Sequence, residues 1–303
     1  MQEIPNKEIY INLFPMYARP DQLGSSSYAE HIDQYLQKIP TKSLSYDYYG
    51  LRTNGNADAG YYKNLDLVRE KTLEKKMPFW VITQAGQVGP STKMPTKEDQ
   101  RWTVWSTIAS GSKGIAYFCY WSPWEENNDE SMYARMVKRD GTKTDMYYWI
   151  QQINADINTI GKKLLPCHAD GLISSTTKYY PLYSNDGLGR TKYGPIQKVS
   201  AVSENVICGC FRDARIAENG ENYKGYKALV VAHQPGRNNI TKLTLDPSVT
   251  TITVTQNNVS KEIGLNNLTD VTFEGANGIR VTYGADNKLQ LEIPAGEAAL
   301  IEF

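Results

Sequence analysis

The chain has no net charge to work with: across 303 residues, 33 Lys and Arg offset 33 Asp and Glu. Without a basic surplus or a basic run, nothing draws nucleic acid or an anionic membrane to it. No apolar run approaches the ~20 residues of a membrane-spanning helix. Histidine is scarce, and His31, His168 and His233 lie scattered with no metal-ligand spacing. Cys119, Cys167, Cys208 and Cys210 show no paired metal spacing either. Cys208 and Cys210, two apart on a strand, would share one face, a poor geometry for a disulfide. There is no Gly-x-Gly-x-x-Gly, no phosphate loop and no Gly-x-Ser-x-Gly elbow, which removes those nucleotide and serine-hydrolase readings. Neither a metal nor a cofactor is expected. The start, MQEIPNKEIYINLF, lacks a charged segment followed by a long apolar one, so a secreted or periplasmic location is expected only if a signal peptide lies upstream.

Aromatic residues are what the chain does have, including 21 tyrosines. A tyrosine joins an apolar face to a polar tip, which suits sugar sites and also β-sandwich surfaces. Up to about residue 165 the pattern alternates strand and helix. Ile9–Phe14, Ser43–Tyr49, Phe79–Thr83 and Gly114–Tyr120 read as strands. Tyr28–Ile39, a helix begun by Tyr62, Leu65 and Val68, one capped by Thr96 with Asp99 three residues on, and one over Met146–Leu164 follow in turn. Trp102 and Trp105, three apart on the third helix, read as core facing the sheet. Four successive βα units predict a parallel sheet. Beyond Pro166, short runs such as Val206–Phe211, Ala228–Ala232 and Leu289–Ile293 are separated by Gly, Asn and Asp, the pattern of an antiparallel sandwich. The expected fold class is α/β plus all-β: a (β/α) barrel portion over 1–165 and a C-terminal β-sandwich over 166–303. No linker separates them, so close packing of the two is expected.

Polar and aromatic groups cluster where strands end, which on this architecture is the active face. Asp47, in Ser45-Tyr46-Asp47-Tyr48-Tyr49, is a carboxylate placed for acid–base work or for sugar hydroxyls; a loop cap is the alternative. Glu125 and Glu126 follow the fourth strand and could join it as catalytic acids, or could be part of the solvated run that continues through Glu130. Tyr48, Trp80, Tyr120, Trp121 and Trp124 could stack on sugar rings or pack in the core. Asn12 and Gln84 could bind hydroxyls or serve as buried structural amides.

Between 77 and 122, Pro78-Phe79-Trp80, the helix Pro95–Ser110, Ala109-Ser110-Gly111-Ser112-Lys113-Gly114-Ile115 and Phe118-Cys119-Tyr120-Trp121 resemble the closing part of a clan-A glycoside hydrolase barrel, with bacterial β-galactosidases nearest. The terminal LEIPAGEAALIEF resembles the last strands of the small β-sandwich that follows many such barrels. The resemblance implies a TIM-barrel-like fold and hydrolysis of a glycosidic bond of an oligo- or polysaccharide by two carboxylates through an oxocarbenium-like transition state. It also implies a nucleophilic glutamate at the end of the third strand, where this sequence has Thr83 and then Gln84. A non-catalytic carbohydrate-binding or scaffold protein is the alternative. The family's acid/base glutamate lies in an earlier half of the barrel, so this chain reads as the later half, whose partner is a missing N-terminal half barrel or a second copy of itself.

Overall fold

The structure is a computed structural model that describes residues 9–53, 60–121, 135–174, 192–202, 206–216, 223–232, 234–265, 269–275, 277–284 and 286–303. Its first part is a four-stranded parallel sheet in the order β1 (Asn12–Leu13), β2 (Leu44–Asp47), β3 (Phe79–Gln84), β4 (Gly114–Phe118). The first strand is shorter than the apolar run Ile9–Phe14 suggests. Between strands run α1 (Pro20–Leu23), α2 (Tyr28–Lys38), α3 (Tyr61–Glu74) and α4 (Lys97–Ala109), and α5 (Asp145–Leu164) follows β4. The caps are written in the sequence. Ser27 Oγ accepts from the Glu30 amide, and Thr96 and Asp99 exchange the two bonds of a capping box at 3.2 and 2.8 Å. The end of α5 is closed by Lys113, whose Nζ donates to the carbonyls of Leu164 and Cys167 at 2.7 Å each.

Period-two alternation divides the sheet into two unlike faces. Phe79, Val81 and Thr83 of β3 and Tyr46 of β2 are buried on the helix side. The alternate positions, Trp80 and Ile82 of β3 and Asp47 of β2, are not. Among the described residues, no strand pairs with the outer edge of β1 or of β4.

Two antiparallel sheets make up the rest. One has the order β11-β10-β15-β8-β7-β5 and the other β12-β13-β14-β9-β6. The six-stranded sheet contains β5 (Cys167–Ser174), β7 (Val206–Asp213), β8 (Tyr226–Ala232), β10 (Thr251–Gln256), β11 (Val259–Gly264) and β15 (Ala298–Glu302). The other contains β6 (Ile196–Ala201), β9 (Asn239–Leu245), β12 (Thr269–Thr272), β13 (Arg280–Tyr283) and β14 (Lys288–Ile293). Three of these strands are not evident from the residue pattern. β5 carries a bulge between Ala169 and Gly171 that breaks its alternation. β11 is mostly exposed and polar, joined to β10 by a turn with Asn257 at φ 53°. β9 alternates in the ordinary way but begins at the end of the Gly- and Asn-rich stretch PGRNN.

The central strands β7, β8 and β15 of the six-stranded sheet are buried on both faces, which explains why VICGCF and ALVVA read as continuous apolar runs. Cys208, Cys210, Val230 and Ile301 face the sandwich interior, while Ile207, Phe211, Leu229 and Leu300 join the core beneath the parallel sheet's helices. Helix α4 therefore lies between two sheets, and every residue from Asp99 to Ala109 is buried. Trp102 and Trp105 are core as expected, but Trp102 also reaches the antiparallel side, donating Nε1–H to the Ala232 carbonyl at 3.1 Å. Gly209 of β7 is required by the closeness of this packing: a Cβ there would stand 2.3 Å from the Ala109 carbonyl oxygen.

A buried charge cluster closes the same seam. Arg101 donates to Asp156 of α5 at 2.6 Å, to Glu297 ahead of β15 at 2.7 Å and to the Asn257 side chain at 2.8 Å. One guanidinium thus serves two carboxylates, and burial holds the Glu297 carboxyl above its ordinary pKa despite Arg101 beside it. Removing the shared cation leaves two buried acids without it. We expect Arg101→Met to lower unfolding stability by about 3–5 kcal/mol in denaturant titration. A loss below about 1 kcal/mol would assign the cohesion of the seam to apolar packing alone.

Candidate functional site

The face of the parallel sheet turned away from the helices mixes polar and apolar side chains level by level. The strand register sets Asn12 beside Ser45, Ser45 beside Trp80 and Trp80 beside Gly114. One pleat further toward the strand ends, Asp47 lies level with Ile82 and Ala116. The Asn12 amide donates to Asp47 Oδ1 at 2.6 Å, and the Tyr10 hydroxyl meets Ser45 Oγ at 2.8 Å. Asp47 is half-buried, and that burial raises its carboxyl above the usual range while the Asn12 hydrogen bond pulls it back. A carboxyl so balanced holds a proton more readily than an exposed one, as an acid or base for neutral substrates requires.

Alternation along β2 and its extension decides which tyrosine joins Asp47. Tyr48 points to the opposite side and is buried against Tyr17 and Tyr61 at centroid distances of 5.0 and 5.6 Å. That places it in the core and away from the face proposed for sugars. Tyr49, not among the residues singled out from the sequence, shares the face of Asp47, and its ring lies 5.8 Å from that of Phe118. The signal is there in the sequence, since a strand puts residues two apart on one side. Burial and the Asp47 charge hold the Tyr49 phenol well above its ordinary pKa, with Arg135 acting the other way. Arg135 is itself buried, and its guanidinium lies 5.6 Å from the centre of the Phe118 ring.

Trp80 lies 41% exposed on this face rather than in the core. Its indole lies flat over Gly114, where a Cβ would meet it at 2.4 Å, and Tyr10 approaches it edge-on at 6.5 Å. Being the second residue of β3, it sits nearer the start of the strands than their ends. Gln84 is fully occupied as a structural amide. Its Oε1 accepts from the Leu51 amide, and its Nε2 donates to the carbonyls of Gly86 and Lys93. Thr83 faces the helices, its hydroxyl donating to the Ala116 carbonyl at 3.3 Å. The end of β3 therefore presents no carboxylate to the open face.

After β4, Tyr120 and Trp121 stand 57% and 45% exposed. Val137 fixes them by donating its amide to the Tyr120 carbonyl at 2.9 Å and bridging Trp121. Arg139 lies over the Trp121 ring at 5.8 Å. Trp124, Glu125 and Glu126 lie outside the described residues. No metal-binding cluster occurs among the described residues. A separate groove of about 600 Å³ runs between β4 and α5, lined by Ile115, Tyr117, Asn154 and Ile157. It is on the helix side of β4 and holds none of the candidate residues.

Residues 13–160 match the Glyco_hydro_42 family model, described as Beta-galactosidase. No curated protein matches the chain. Among solved structures, a beta-galactosidase from the psychrophilic Marinomonas ef1 aligns at 14% identity and TM-score 0.36, covering 52% of this chain and 26% of that one. The glycoside hydrolase family 30 subfamily 8 xylanase Xyn30A from Clostridium acetobutylicum aligns at 11% identity and TM-score 0.31, covering 96% and 55%. The chain thus spans about a quarter of the first structure and just over half of the second.

The Asp47 environment has a signed consequence for stability. Its folded pKa lies above the ordinary value of 3.8, so its contribution is fully present below that value and is lost as pH rises through the folded pKa. Asp47→Asn should therefore be more stable than the unaltered protein near neutral pH, with the difference vanishing in acid. Denaturant midpoints measured across pH would check this; a gain confined to acid pH would reverse the assignment.

Proposed function

We propose that the chain supplies the sugar-gripping part of a glycoside hydrolase site, with Asp47 as its acid/base group. The observation that carries the reading is the half-buried Asp47 carboxyl, hydrogen-bonded to Asn12 on the open face of a parallel sheet whose sequence matches a beta-galactosidase family model, with burial raising its pKa. Tyr49, Tyr120 and Trp121 supply rings for the C–H faces of a pyranose, and Asn12 an amide for its hydroxyls. Hydrolysis through an oxocarbenium-like transition state needs a second carboxylate across the scissile bond. Glu125 or Glu126, or a carboxylate on a complementary half of the barrel, would supply it. The edges of β1 and β4, which no strand pairs among the described residues, suit such a complement, since four more parallel strands would close an eight-stranded barrel. That complement is an N-terminal half barrel or a second copy of the chain.

A specific observation favours a second reading, in which the chain binds carbohydrate without cleaving it. Gln84 and Thr83 occupy the end of β3, where the resemblance calls for a nucleophile, and both side chains are committed to structural hydrogen bonds. Asp47→Asn separates the two. If Asp47 is the acid or base, the substitution lowers the hydrolysis rate by roughly 10²–10⁴-fold while sugar affinity holds. If the chain only binds, the unaltered protein releases no reducing sugar and Asp47→Asn binds nearly as before. Loss of binding with Asp47→Asn at unchanged fold would make Asp47 a hydroxyl ligand instead.

A further inference from the structure

Beyond Tyr120 the open aromatic surface continues onto a helix. Tyr147 and Tyr148 lie in the first turn of α5. The Tyr147 ring lies 6.4 Å from Tyr120 and 5.4 Å from Tyr148, at interplanar angles of 63° and 80°. Tyr148 is 54% exposed, much like Tyr120. The Lys143 ammonium stands 4.2 Å from the centre of the Tyr147 ring. Lys143 makes no ion pair with a carboxylate among the described residues.

This group is not carried on a loose loop. Thr144 donates its amide to the Met136 carbonyl at 2.9 Å and its hydroxyl to the Arg135 carbonyl at 2.6 Å. A small core of Ala85, Met136, Val137, Met146 and Ile150 lies beneath. Tyr147 is half-buried on that core and holds Tyr120 and Tyr148 in place while they stand exposed, at a standing cost in apolar surface left to water. Their angles matter to what they can receive. Rings set edge to face offer separate facets, each rimmed by a hydroxyl, and no continuous apolar plane for a protein helix. One facet matches the C–H face of one pyranose, and the ammonium among them donates to ring hydroxyls.

We infer that Tyr120, Tyr147, Tyr148 and Lys143 form an outer subsite for further neutral pyranose units, so that the ligand is a glycan longer than a disaccharide. The inference rests on the sugar site proposed around Asp47 and extends it along one direction.

The test is a calorimetric titration of the full chain with β-linked galacto-oligosaccharides from dimer to hexamer, with xylo-oligosaccharides and oligogalacturonates in parallel. Affinity should rise on the order of tenfold between dimer and tetramer, the gain of one stacked unit. Tyr148→Ala should abolish that rise and leave dimer affinity unchanged, while Tyr148→Trp should keep it; circular dichroism checks that both variants fold. Dimer binding with no dependence on length would overturn the outer subsite and leave the Asp47 site standing. Equal weakening of dimer and tetramer by Tyr148→Ala would do the same. Tight binding of oligogalacturonate alone, lost in high salt, would overturn the neutral class of ligand. Binding of no sugar at any length would overturn both the subsite and the site it extends.

Discussion

Four parallel strands in sequential order, joined by right-handed crossovers, carry their helices on one side, and this constraint governs the molecule. The connections pack against Phe79, Val81, Thr83 and Tyr46, and so leave Trp80, Ile82 and Asp47 on a face without that cover. The main core of the parallel sheet lies on the helix side. The six-stranded sheet packs there as well, so α4 sits between two sheets and Arg101 joins three segments far apart in sequence. Everything chemically suggestive is on the other side.

The division also explains how a polar site persists on so little cover. Asp47 is braced by Asn12, Ser45 by Tyr10, and Trp80 by the glycine beneath it. Each side chain is oriented by a neighbour on the next strand, so the parallel register is what assembles the site. The same register carries Tyr49 toward Phe118 and leads past β4 to exposed rings supported by a small separate core. Sugar recognition needs flat apolar facets beside oriented hydrogen-bonding groups, and this surface has both.

How much of this can be read from residues alone depends on period. The four βα units are legible because strand and helix periods alternate cleanly and Thr96 with Asp99 marks a helix start. The sandwich is legible as a class, but β5 is hidden by its bulge and β11 by its exposed, polar sequence. Within the site, Asp47 is legible as a strand-end carboxylate. Adjacency in the chain suggests Tyr48 as its companion, but alternation applies, and Tyr49 is the residue on the same face. Gln84 cannot be resolved in advance, since its three partners, Leu51, Gly86 and Lys93, come from loops that only folding brings together. The place of Trp80 follows only once one face of the sheet is known to be open, a property of the sheet as a whole.

On the proposed reading, sugar binds the open face of the parallel sheet at its strand ends. Amide hydrogen exchange, measured with and without a saturating galacto-oligosaccharide, tests it directly. Slowed exchange should concentrate in 45–49 and 116–121 and be absent from the buried strand 226–232, whose amides are already paired. Protection confined to the antiparallel sheets, with none at 45–49 or 116–121, would contradict the claim and move the site to the sandwich.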